Sequence, residues 1–136
     1  MSSSLLPHIY KQSLYELAPR LFLDRGVRLV FLDVDNTLAP YGSDRAPQRL
    51  LDWCADMRGA GLELFILSNN RGLRPVLFAE QLGIGYKKRA RKPFTRKLRA
   101  VLAEKGIPPA QAALIGDQVF TDVLCARRAG LLAVLI

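Results

Sequence analysis

The sequence is poor in the residues that build most metal and disulfide sites. It holds two cysteines and one histidine in 136 residues, with no CxxC pair. Cys54 and Cys125 fall in different predicted helices, which argues against a disulfide framework or a zinc site and leaves two reduced, buried thiols as the expectation. His8 stands alone in the opening stretch, and no chemical role is expected of it. Long apolar runs are missing too. No stretch approaches the roughly 20 residues needed to cross a bilayer. The opening "MSSSLLPHIYKQSLYEL" lacks the charged start and long apolar centre of a secretory signal. A cytoplasmic protein is expected, with a peripheral place on a membrane as the alternative. Acids are the third scarcity: 12 against 20 lysines and arginines, a net charge of +8.

Half of the residues are apolar, enough to bury a core and to argue against disorder. The length suits one domain, residues 1–136. Much of the positive charge sits in "KKRARKPFTRKLR", residues 87–99, where eight of thirteen side chains are Lys or Arg and none is acidic. Such a run attracts phosphate in nucleic acid, anionic lipid or a phosphorylated metabolite. Its plainer explanation is a solvated helix face.

Periodicity and punctuation divide the chain into alternating elements. Residues 9–24 read as a leading helix within an N-terminal helical segment, 1–26, kinked or divided at Pro19. Five strands are then expected, in "VRLVFLD", "LELFIL", "IGYK", "AALIG" and "LLAVLI", separated by four helices. In the third of these helices Phe94, Leu98, Val101 and Leu102 are expected on one apolar face. Continuous apolar strands alternating with helices predict a single doubly wound α/β domain, Rossmann-like, with a five-stranded mainly parallel sheet. Ligands of such sheets bind beyond the carboxyl ends of the strands, where the strand order reverses.

Those positions hold the chemistry. Asp33, Asp35, Asn36 and Thr37 follow the first predicted strand. Ser68, Asn69 and Asn70 follow the second, Lys92 follows the third, and Asp117 and Asp122 follow the fourth. Each alone has a dull reading: an Asx turn for Asp33 and Asp35, a helix cap for Ser68 and Asn69, a first-turn charge for Asp122. Together they suit phosphoryl transfer. Clustered carboxylates repel, and a hard divalent cation relieves that repulsion; with only oxygen ligands on offer, Mg²⁺ fits better than Zn²⁺. A carboxylate can attack phosphorus. Hydroxyls, backbone N–H groups and an ammonium can hold the phosphoryl oxygens. Asp35 can protonate the departing alkoxide and later deprotonate water.

The four motifs resemble those of the haloacid dehalogenase-like (HAD) phosphohydrolases: "DVDNT" at 33–37, "LSNN" at 67–70, the lysine of "ARKP" at 90–93 and "GDQVFTD" at 116–122. The resemblance implies Asp33 as nucleophile, Asp35 as general acid/base, and Ser68, with Asn69 beside it, and Lys92 as phosphate contacts. It implies Mg²⁺ held by Asp33, Asp117 and the backbone carbonyl of Asp35, with Thr37 and Asp122 in support. Asp122 would be either a ligand through water or a support for Lys92. The stretch running from "LLPHIYKQ" to "APYG" is similar to the opening of the YqeG-type subfamily of class IIIA. Neighbours of that subfamily act on phosphatidylglycerophosphate. Family members usually continue past the fifth predicted strand, where this chain ends at Ile136.

The spacers between motifs are short, so no cap domain is expected and the site should be open. An open site favours large substrates, such as a lipid head group at an anionic membrane surface, a phosphoprotein or a nucleic-acid end. The basic run fits a membrane surface, and the leading helix would either lie in the interface or pack on the sheet. Two alternatives to a phosphatase are a receiver-like phosphoacceptor and a nucleic-acid binder without turnover. Receivers carry their acceptor after the third strand, and a nucleic-acid binder leaves the four acids unexplained.

Overall fold

The computed structural model describes residues 4–39 and 42–136. Six strands form one sheet: β1 (Ile9–Tyr10), β2 (Leu29–Leu32), β3 (Glu63–Leu67), β4 (Gly85–Lys87), β5 (Ala112–Gly116) and β6 (Leu132–Leu135). Their spatial order is β1-β6-β5-β2-β3-β4, and every pair is parallel. The five expected strands are β2 to β6. The sixth is the difference, and it arises from the N-terminal segment.

Residues 9–24 do not form one kinked helix. His8 N–H donates to the Ala133 carbonyl and Lys11 N–H to the Leu135 carbonyl, so the backbone around Ile9 and Tyr10 adds an edge strand to β6. Ser13 then caps a 3-10 turn, Leu14–Glu16, in a capping box with Glu16. Pro19 opens a separate short helix, α1 (Pro19–Leu23), where a missing N–H does no harm. Most of the apolar residues that suggested helical spacing are buried all the same. Ile9, Leu14 and Leu17 join the core with Phe22, Leu21 packs against it partly buried, and Trp53 Nε1 donates to the Leu17 carbonyl at 2.9 Å. Ile9, Leu14 and Leu17 thus pack on the sheet, while Leu5 and Leu6 ahead of them stay exposed. His8 serves the same end, its Nδ1 accepting from the Ala133 N–H.

The remaining helices are α2 (Gln48–Gly59), α3 (Arg74–Leu82), α4 (Arg96–Lys105) and α5 (Leu124–Ala129). They cover both faces of the sheet. Val30 and Leu32 of β2 point into one core with Leu50, Trp53, Met57 and Phe78. Leu29 and Phe31 point into the other, with Leu98, Val101, Leu102 and Ala126. Strand alternation thus feeds two apolar layers at once, and this is why β2 reads as an unbroken hydrophobic run. Cys54 lies in the first core and Cys125 in the second. Burial pushes their thiols up, to about 12 and about 11, so both stay protonated and unreactive.

Phe94 departs from expectation. The third of the predicted helices starts at Arg96, so Phe94 sits in the preceding loop and is 68% exposed, while Leu98, Val101 and Leu102 form the buried face. Among the described residues, no helix is long and apolar enough to cross a membrane. Among the described residues, no domain interrupts the segment from β2 to α2 or from β3 to β4.

Candidate active site

β2 lies between β3 and β5, and the chain leaves it toward opposite edges of the sheet. The order therefore reverses beside the end of β2. Leu32 pairs with Ile66 on one side and Ile115 on the other, and Asp33 N–H makes a last ladder bond to the Ile115 carbonyl. This register puts Asp33 between the ends of β3 and β5. Beyond it the chain winds around one carbonyl: Thr37 N–H and Leu38 N–H both donate to Val34 O, with Asn36 in the left-handed region at φ 60°.

Carboxylate oxygens of Asp33, Asp117 and Asp122 lie within 4.8 Å of one another. The Lys92 ammonium, almost wholly buried, reaches the same place from the loop after β4. It donates to Asp122 Oδ1 at 2.6 Å, to the Leu67 carbonyl at 2.8 Å and to Asp33 Oδ1 at 3.0 Å. Three carboxylates thus face one ammonium. Burial pushes Asp33 up to about 6; the Lys92 charge opposes this, and Asp122 adds to it. Asp117 is raised as well, first by burial and then by Asp122, against the pull of its own backbone N–H, Lys92 and Thr37. For Lys92 burial works downward, but the charges of Asp122 and Asp33 outweigh it and hold the ammonium charged.

A hard cation fits this arrangement. The acids exceed the base, their oxygens converge, and Asp117 Oδ1 is buried with no hydrogen-bond partner among the described residues. Oxygen donors alone suit Mg²⁺.

The other expected residues have distinct places. Asp35 stands apart from the acid cluster. It pairs with Arg74 Nε at 3.0 Å and accepts from Asn70 Nδ2 at 3.4 Å, yet it lines the same cleft of about 80 Å³ as Asp33, Ser68 and Lys92. The Ser68 hydroxyl is buried and accepts from the Asn70 N–H. Asn69 lines that cleft as well. Its amide clamps the backbone of Lys92, Oδ1 accepting from the N–H and Nδ2 donating to the carbonyl. Thr37 is buried beside Asp117. Asp122 supports Lys92 and takes a bond from Gln118 N–H.

Three residues contribute in ways that the sequence did not specify. Arg74 belongs to the helix after "LSNN", and only tertiary structure brings it to Asp35. Asn70 was visible at a strand end but without a partner. Gly116 was quoted only as part of a motif; a Cβ there would fall 2.2 Å from the Asp122 carboxylate carbon, so only glycine lets that carboxylate lie across the end of β5.

With that geometry, similarity to known proteins becomes informative. A Bacillus subtilis (strain 168) protein named "Probable phosphatase YqeG" is 32% identical over 131 residues, covering 96% of this chain and 76% of that protein. The chain belongs to the HAD phosphatases of the YqeG type. Residues 89–136 also match the family model described as HAD-hydrolase-like. Two solved structures carry the same fold. One is an uncharacterized protein from Listeria monocytogenes serotype 4b, with a TM-score of 0.67 and 16% identity over 81% of this chain and 78% of that one. The other is 3-deoxy-D-manno-octulosonate 8-phosphate phosphatase from Moraxella catarrhalis, in complex with magnesium ion, phosphate ion and KDO. Its TM-score is 0.66, with 20% identity over 85% of this chain and 72% of that one. This HAD member is thus a phosphohydrolase, and its motifs fall at the strand ends described above.

Proposed function

We propose that the protein hydrolyses a phosphate monoester in two steps, with Asp33 as the nucleophile and Mg²⁺ as its cofactor. The observation that carries this reading is the meeting of Asp33, Asp117 and Asp122 around a buried Lys92 at the point of strand reversal. In the first step an Asp33 oxygen attacks phosphorus and the ester P–O bond breaks. Asp35, facing the same cleft, gives its proton to the leaving alkoxide. In the second step Asp35 takes a proton from water, which attacks the aspartyl phosphate and frees inorganic phosphate and Asp33. Asp33, Asp117 and the Asp35 backbone carbonyl would hold the ion, which when bound offsets repulsion between carboxylate and phosphate. Lys92 and Ser68 hold phosphoryl oxygens. Asn69 positions Lys92 by fixing its backbone, and Arg74 and Asn70 orient Asp35.

A phosphate-release screen over nucleotide, sugar, lipid and peptide esters tests the reading. Turnover should need Mg²⁺, stop with chelator and return on adding the metal. Asp33→Asn should lower it by about 10³-fold or more while circular dichroism stays unchanged. Activity persisting in excess chelator, or in the Asp33→Asn protein, would reject the scheme.

A further inference from the structure

Two side chains that line the acid cleft have no task in the two hydrolytic steps. They are Gln118 and Thr121, both from the segment after β5. The backbone that presents them is unusual. Val119–Val123 form a π-helical turn, in which Asp122 N–H and Val123 N–H both donate to the Gln118 carbonyl, at 2.9 and 3.2 Å. Such turns are rare and occur mostly at functional sites. This one carries the Asp122 carboxylate back over Gly116 to Lys92 and leaves Gln118 and Thr121 on the cleft side. Gln118 N–H donates in turn to Asp122 Oδ2 at 3.3 Å, so its backbone is tied to the acid that grips Lys92.

A phosphoryl group brings three oxygens that need donors, and most donors of the cleft are already committed. An ammonium has three N–H groups. Those of Lys92 go to Asp122, Asp33 and the Leu67 carbonyl, and only the bond to Asp33 can pass to a phosphoryl oxygen with the other two intact. The amide of Asn69 gives an N–H to the Lys92 carbonyl, and that of Asn70 gives one to Asp35. Gln118 differs. Its Oε1 accepts from the Thr121 hydroxyl at 3.1 Å, which turns its NH₂ group away from Thr121. That NH₂ group belongs to an exposed side chain at the cleft and meets no acceptor among the described residues.

We infer that Gln118 contacts the substrate, its NH₂ group donating to an oxygen of the phosphoryl group, and that Thr121 is the positioning residue that fixes the direction of this amide. The inference rests on the phosphatase reading of the cleft. A hydrogen bond to a charged acceptor is stronger than one between neutral groups, so one amide in this place has a measurable effect. The contact is to the group transferred, and it therefore serves every ester alike.

Two measurements on the full chain in Mg²⁺ test this: calorimetric binding of inorganic phosphate, and kcat/KM for p-nitrophenyl phosphate and glycerol 1-phosphate, whose leaving groups have little in common. Gln118→Ala should weaken phosphate binding about tenfold or more and lower kcat/KM for both esters by the same factor. Gln118→Glu sets a carboxylate against the phosphoryl oxygens and should do more harm. Thr121→Val should lower binding and kcat/KM about two- to fivefold alone and no further in the Gln118→Ala background, and Thr121→Ser should keep the parent values. A loss confined to one ester would make Gln118 a contact to the leaving group and overturn the inference. Parental phosphate affinity in Gln118→Ala would overturn it too, whatever the melting temperature, because a residue that only braces the turn changes stability and not affinity. A parent that binds phosphate but releases none from any ester rejects the phosphatase reading, while the binding ratios still decide the role of Gln118. A parent that binds no phosphate rejects both.

Discussion

At the residue scale the acid cluster explains itself through charge. Asp33 is held close to three other ionisable groups in a space that excludes most water, and its carboxyl rises from 3.8 to about 6. The unfolded chain keeps the ordinary value, so folding favours the protonated form. The stability this contributes is complete below about pH 4 and is lost as pH rises through 6, by at most about 3 kcal/mol. In chelator, Asp33→Asn should therefore be more stable than the parent at pH 7 and indistinguishable from it near pH 4. Urea denaturation at pH 4, 5.5 and 7 reads the difference; parallel pH profiles would show that burial does not burden Asp33. Asp33, Asp35, Ser68 and Lys92 were legible because strand ends in a doubly wound sheet are where polar residues meet ligands. Arg74 was not legible: its partner Asp35 lies 39 positions away in the chain, and no local pattern joins them.

At the scale of elements, the end of β5 shows how tightly backbone and site are joined. Asp122 lies in the turn Val119–Val123, and its carboxylate folds back over Gly116 to reach Lys92. Gly116→Ala would force that carboxylate away, since the clash involves Asp122 Cβ as well as its tip. The expected cost is about 1–3 kcal/mol, with phosphate release falling more steeply than stability because Lys92 loses its shortest partner. Thermal melts and initial rates on one preparation separate the two effects; a stable variant with parental rates would show that Asp122 is free to move. The N-terminal segment teaches the converse. Its apolar residues suit either a helix or an edge strand capped by turns, and the choice falls to β6, whose open edge offers the Ala133 and Leu135 carbonyls to the His8 and Lys11 N–H groups.

Across the whole molecule, both faces of the sheet are sealed and the N-terminal segment closes one of them. Leu17 is buried, and its carbonyl takes the Trp53 indole N–H. Leu17→Ala should cost about 2–5 kcal/mol in urea denaturation, while kcat of the folded fraction stays near the parent's, since the change lies in the core and not among the strand-end loops. A large fall in kcat at full folding would show instead that the segment shapes the site.

The sequence by itself determined the alternation of strands and helices, the two-sided burial of the sheet and the type of chemistry at its strand ends. Each of these follows from patterns a few residues long: unbroken apolar runs, capping signals and polar groups just past them. Only the tertiary structure decided that Asp122 reaches Lys92 across Gly116, that Asn69 clamps the Lys92 backbone, that Arg74 pairs with Asp35, that Phe94 is exposed and that a sixth strand joins the edge. Those outcomes depend on strand order, register and which edge is left open. They are set by contacts between distant parts of the chain, and local periodicity carries no record of them.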